Sequence, residues 1–106
     1  MTHTFFFSDV EDSTGLLARL GSGYAGVLAE VRELQRDAVG QAGGREVDCR
    51  GDELFFVFER PEAAATAALA VQRAFAAHAW PIGERVRVRV AQNAPVAVPA
   101  DAPTLS

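Results

Sequence analysis

Two acidic stretches carry residue types that could do chemistry. "FFFSDVEDST" (5–14) puts Asp9 at the end of an aromatic, β-prone run, and "DCRGDELFFVF" (48–58) puts Asp52 where the chain turns into a second apolar run. Two carboxylates at one place repel unless something neutralises them. A hard divalent cation does this well, because Mg²⁺ takes one or two carboxylates and shares the rest of its shell with water and phosphate oxygens. Ser13 and Thr14 offer N-caps for a helix starting just after Asp9. Backbone N–H groups near Asp12, Ser13 and Thr14 would then point at the same spot and could hold phosphate. Strand end, carboxylates and helix N-terminus together describe a metal–triphosphate site, provided that the fold brings the stretches together. Taken singly, Asp9 and Asp52 are also ordinary turn and cap residues.

The elements that must position them are legible from periodicity. Thr4 to Phe7 reads as a buried strand, followed by a short helix with Leu16, Leu17 and Leu20 that Gly21 and Gly23 break. Tyr24, Val27, Leu28, Val31, Leu34, Ala38 and Val39 recur at helical spacing, with Glu30, Arg32, Glu33 and Arg36 opposite, and Gly43-Gly44 ends this second helix. Glu46 to Cys49 alternates, with Val47 and Cys49 on one face and Glu46 and Asp48 on the other. Gly51 supplies a turn, and Leu54 to Phe58 reads as a central strand. Pro61 opens an Ala-rich helix reaching to about His78, placing that histidine near the helix C-terminus. Trp80 to Gly83 is a loop. Arg85 to Val90 alternates strictly, with valines inward and arginines outward; the three arginines could bind phosphate or pair with acidic residues, and on an outer strand such residues more often keep the edge soluble. From Ala94 the chain is rich in proline and alanine, so residues 1–93 form one domain and 94–106 a disordered tail.

The order β-α-α-β-β-α-β is that of a ferredoxin-like split βαβ sandwich: an α+β fold with an antiparallel sheet and helices on one face. Right-handed crossovers leave a gap between the first two strands, and the third fills it, antiparallel to both. The end of strand one then lies beside the start of strand three. Asp9 and Asp52 are predicted to converge at one sheet edge.

The 106 residues are 49% hydrophobic and 23% charged, with a net charge of −4, which excludes a broad electrostatic nucleic-acid surface. The single cysteine, Cys49, rules out an internal disulfide and fits a reducing, cytoplasmic setting. The N-terminus has neither the basic region nor the long apolar stretch of a signal peptide or membrane span.

At these residues a resemblance emerges. "FFFSDVEDST" resembles the first metal motif of class III nucleotidyl cyclases, F-S/T-D-I/V-x-G-F/S-T. "DCRGDELFFVF" resembles the second, the hairpin K/E-x-x-G-D, and "HAWPIGERVRVRV" is similar to the segment leading into the family's next strand. The similarity covers roughly residues 3 to 90. It implies that Asp9 and Asp52, assisted by the Val10 carbonyl, bind two Mg²⁺ or Mn²⁺ ions. It further implies conversion of a nucleoside triphosphate to a cyclic nucleotide and pyrophosphate, at the interface of a homodimer or with another cyclase-like chain. Asp48 falls at the family's base-recognition position, where it could accept from guanine but offers adenine no donor.

Departures qualify this. Asp12 replaces the family's glycine beside the phosphate. After "VRVRV" the family continues M-G-I/L-H-x-G, and this chain reads "AQNAPVA" (91–97). No segment of the 106 residues matches the later family region that carries the transition-state asparagine and arginine, so no catalytic residue is assigned and the isolated chain is expected to be inactive. A non-catalytic cyclase-like dimerisation or regulatory module is the alternative. A fainter resemblance joins "RGDELFFVF" to the GGDEF-type hairpin, but "SDVEDST" lacks that family's D-x-D-x-F-K pattern.

Overall fold

The structure, a computed structural model, describes residues 2–93 and 96–97. Its elements run β1 (Thr2–Val10), α1 (Ser13–Leu20), a 3-10 turn (Gly21–Gly23), α2 (Tyr24–Gln41), β2 (Arg45–Arg50), β3 (Glu53–Phe58), α3 (Pro61–Ala77), β4 (Val88–Gln92) and β5 (Val96–Ala97). The sheet order is β2-β3-β1-β4, with every neighbouring pair antiparallel. This is the α+β arrangement expected from the strand pattern, with β3 inserted between β1 and β2.

β1 and β3 are buried on the helix side because their alternate residues are large and apolar. Phe6, Phe56 and Phe58 are fully buried, and the Phe6 and Phe56 rings meet edge to face at 5.7 Å. Val27, Val31 and Val39 of α2 and Ala64, Ala67, Val71 and Phe75 of α3 complete the core. The fully buried alanines let α3 approach the sheet closely. One polar pair interrupts this core. The Ser8 hydroxyl donates to Gln35 Oε1, and both side chains are fully buried. On the opposite sheet face Phe7 and Phe55 are cross-strand partners, half-buried, with ring centroids 4.7 Å apart.

The ends of α2 and α3 follow local chemistry. After α2, Gly43 adopts φ +87°, and the amides of Gly43 and Gly44 return to the carbonyls of Gly40 and Val39. This is a Schellman closure, as Gly43-Gly44 predicted. Pro61 opens α3 at its first turn. At the other end the Trp80 indole N–H donates to the Phe75 carbonyl at 2.9 Å, satisfying a last-turn acceptor.

Several boundaries differ from the sequence expectation. Ser13 and Thr14 are the first residues of α1 rather than caps. The flanking position is Asp12, which makes no side-chain capping bond and sits at φ 52°. In β2 the register shifts between Glu46 and Asp48, so Val47 is an extra residue. Glu46 opposes Phe56 and Cys49 opposes Leu54. The bulge therefore puts Glu46 on the helix face with Cys49, where it pairs with Arg36 of α2 at 2.6 Å. The alternation of Arg85 to Val90 holds, with Val86 and Val88 buried and the arginines exposed. Pairing starts only at Val88, because Val10 is its partner and β1 ends there. His78 lies just beyond α3 in extended conformation, its ring 4.4 Å from that of Trp80 and its Nε2 3.6 Å from Glu30. Most of the expected disordered tail, 94–106, lies outside the described residues. Val96–Ala97 pair with Thr2 and His3 of β1.

Candidate metal and phosphate site

The β2–β3 hairpin turns at Gly51, whose φ of 56° suits a residue without Cβ. The turn sets Asp52 at the mouth of β3. With Ser8 opposite Leu54 in the β1–β3 ladder, the two-residue step to Val10 reaches Asp52. The Val10 N–H donates to Asp52 Oδ2 at 2.9 Å. Arg32 of α2 holds the turn from behind, donating to the Gly51 carbonyl at 2.7 and 3.2 Å.

Asp9 occupies the preceding position, on the sheet face away from the helices. Its cross-strand partner on β4 is Arg89. Arg89 donates from Nε to Asp9 Oδ1 at 3.0 Å and from Nη2 to Oδ2 at 2.9 Å, a paired two-bond contact. These bonds, then the Asp9 charge, hold the Arg89 guanidinium above its ordinary pKa, and Glu11 and Asp52 add to the effect. The Asp52 charge is also felt at Tyr24, at the start of α2. Burial pushes the Tyr24 phenol up, the Asp52 charge adds to that, and Arg32 opposes it.

Asp12 takes another course. Its carboxylate folds back over the first turn of α1, so close that a Cβ on Gly15 would lie 2.4 Å from an Asp12 oxygen. Arg19 reaches it at 3.5 Å and makes a closer pair with Glu84 at 3.1 Å. The negative group at this helix N-terminus is thus the protein's own, where an anionic ligand would favour the free N–H groups of Ser13 and Thr14. The left-handed backbone at Asp12 explains why a glycine suits this position.

Asp48, on the sheet face of Phe55, is tied locally. Oδ1 accepts the Cys49 N–H at 2.9 Å and Oδ2 accepts Arg50 Nε at 2.8 Å.

The fold thus brings Asp9, Val10 and Asp52 to one sheet edge with α1 leading away from it, and leaves Asp48 further along β2. Among the described residues no three His, Cys, Asp or Glu side chains form a ready-made cage for a metal ion. What the edge offers is two carboxylates and, because Val10 N–H and C=O point to the same side of β1, a carbonyl directed at the hairpin. All are hard oxygen donors suited to Mg²⁺ or Mn²⁺ rather than to a softer metal. Sequence reasoning missed Arg32 and Tyr24. For the outward arginines it allowed a pairing with acidic residues without naming the partner, and the register of β4 against the end of β1 sets Arg89 on Asp9.

No protein-family model matches the sequence, and no curated protein sequence matches it. Solved structures do. The guanylate cyclase domain of RhGC from Catenaria anguillulae, in complex with GTP, superposes with a TM-score of 0.78 at 22% identity, over 91% of this chain and 58% of that one. The non-canonical dimeric guanylyl cyclase domain of the RhoGC fusion protein from Blastocladiella emersonii gives 0.78 at 22% identity, over 91% and 59%. A Trypanosoma brucei adenylate cyclase in its monomeric state gives 0.72 at 29% identity, over 74% and 34%. The chain spans about three fifths of the length of the two guanylyl cyclase domains. It has the fold of adenylyl and guanylyl cyclase catalytic domains. Among the described residues no helix is long and apolar enough to cross a membrane.

Proposed function

We propose that this chain is the metal-carrying part of a class III nucleotidyl cyclase domain, with Asp9, the Val10 carbonyl and Asp52 holding Mg²⁺ or Mn²⁺ for a nucleoside triphosphate. The observation that carries the reading is the bond from Val10 N–H to Asp52, which seats the hairpin aspartate beside the strand-end aspartate. A bound divalent cation would supply charge neutralisation for the phosphates and acidify an attacking hydroxyl. The protein's part is to fix the two carboxylates on one rigid sheet edge, and Arg32 at the Gly51 carbonyl supports this from α2. GTP is bound to the Catenaria anguillulae guanylate cyclase domain, and the Blastocladiella emersonii domain is dimeric. For this chain, a triphosphate ligand and a second copy or another cyclase-like chain are part of the proposal.

Two observations favour binding without turnover by these 106 residues. Asp12 sets a carboxylate over the helix N-terminus, and "AQNAPVA" (91–97) departs from the motif that follows the family's corresponding "VRVRV" run. The test is a cyclase assay with Mn²⁺ and ATP or GTP, run beside Mn²⁺ titration of the same protein. We expect Mn²⁺ binding that is lost in the Asp9→Ala/Asp52→Ala double variant, without cyclic nucleotide above that variant's background. Cyclic product above background would show a competent enzyme, and absence of Mn²⁺ binding would remove the metal reading.

A further inference from the structure

Both oxygens of Asp9 are already engaged. Arg89 lies directly across the β1–β4 ladder and spans the carboxylate with two bonds of 3.0 and 2.9 Å. The Asp9 side chain is 22% exposed and that of Arg89 66%, so the guanidinium covers the carboxylate from the solvent side. A cation approaching Asp9 meets a resident cation first. We infer that Arg89 is a displaceable counter-ion of Asp9 that sets the divalent-metal affinity of this edge: metal enters as the guanidinium swings off into solvent, and the site is weak because that exchange is part of binding. The inference rests on the metal reading of Asp9.

The geometry permits the exchange. Arg89 has no hydrogen-bond partner other than Asp9 among the described residues, and its long side chain starts from a strand backbone held by the ladder. Moving it breaks the exposed pair with Asp9 and gives up only the weaker attractions of Glu11 and Asp52. Asp52 stays fixed by the Val10 N–H throughout. The exchange also separates the roles of the two carboxylates: Asp52 is the anchored donor, and Asp9 is the donor whose availability Arg89 controls.

Arg87, two residues earlier on the same outward-facing series and exposed, makes no bond to Asp9 and serves as the charge control. The experiment is a Mn²⁺ titration of the 106-residue chain, followed by the electron paramagnetic resonance of free Mn²⁺, for the original protein, Arg89→Gln, Arg87→Gln and Asp9→Asn. Arg89→Gln should bind Mn²⁺ roughly three- to tenfold more tightly, through release of a paired contact and loss of cation–cation repulsion. Arg87→Gln should gain no more than about twofold, since an exposed charge with no side-chain partner among the described residues acts only through a screened field. Asp9→Asn should lose the binding. If Arg89→Gln equals the original while Asp9→Asn still abolishes binding, the counter-ion inference falls and the metal reading stands. Equal gains in the two arginine variants would also overturn it. No Mn²⁺ on any protein removes the metal reading and this inference together. Far-UV circular dichroism checks the fold. If Arg89→Gln is unfolded, Arg89→Lys decides, because it keeps the charge but gives up the paired geometry, and unchanged Mn²⁺ affinity in it overturns the inference.

Discussion

The Val10 N–H and the Asp52 carboxylate meet at 2.9 Å, so the hairpin bearing one aspartate is fastened to the strand bearing the other. From charge alone the two carboxylates should repel, and neutralising Asp52 should stabilise the fold. The bond reverses that sign. Asp52→Ala leaves a part-buried N–H without its acceptor and should cost about 1–2 kcal/mol in urea unfolding. Asp52→Asn keeps an acceptor and should cost less than half as much. If Asp52→Ala is more stable than the original, repulsion dominates and the bond contributes little.

Tyr24 is the chain's single tyrosine, so its ionisation can be followed by tyrosinate absorbance. Burial and then the Asp52 charge raise its folded pKa above the ordinary value. The sign follows from linkage: the fold favours the neutral phenol, so its contribution is full below the unfolded pKa of about 10 and is lost as pH rises through the folded value. Asp52→Asn should move the Tyr24 titration downward by the smaller, electrostatic share only, and Tyr24→Phe should flatten the alkaline loss of stability. A Tyr24 titration indifferent to Asp52→Asn would place the two groups out of electrostatic reach.

Asp12→Gly should aid an anion. It removes the carboxylate over the first turn of α1 and places a residue at home with φ 52°. The relief of backbone strain and the added freedom of the unfolded chain oppose each other, so stability should change by less than about 1 kcal/mol. Inorganic pyrophosphate should bind more tightly to the variant in calorimetry. Equal affinity for the two proteins would mean that the helix N-terminus takes no part in phosphate binding.

Gly44→Ala tests how closely α2 closes onto β3. A Cβ at this position would stand 2.4 Å from a Val39 methyl and 2.5 Å from the Phe58 ring tip, both buried. Neither neighbour can yield without disturbing the core, so the variant should lose about 1–3 kcal/mol in chemical denaturation. An unchanged midpoint would show that the turn has room to shift.

Much of this was legible before the fold was seen, because it depended on order and period. The convergence of Asp9 with Asp52 follows once β3 must fill the gap between β1 and β2. The buried Val86 and Val88 follow from strict alternation. What stayed hidden depended on local irregularity or on distance along the chain. The bulge at Val47 turns Glu46 toward Arg36 within a segment that reads as a plain alternation. Asp12 enters the left-handed region where composition suggested only a loop before a capped helix. Arg89 is 80 positions from Asp9, so an outward arginine able to pair with an acidic residue has no named partner until register sets it against this carboxylate. Tyr24 read as one more apolar residue of the α2 stripe, since nothing in a helical period reveals which hairpin lies beyond its first turn.

The indole that closes α3 has an optical consequence. Trp80 is the chain's single tryptophan, lodged between Phe75 and the His78 ring at 5.4 and 4.4 Å. Its emission therefore comes from one place, the junction where α3 hands the chain to the approach of β4. Colour and intensity there should follow the docking of that junction, and with it the seating of the strand that carries Arg89. The protein is supplied with an intrinsic fluorophore for the segment that leads into the Arg89 strand.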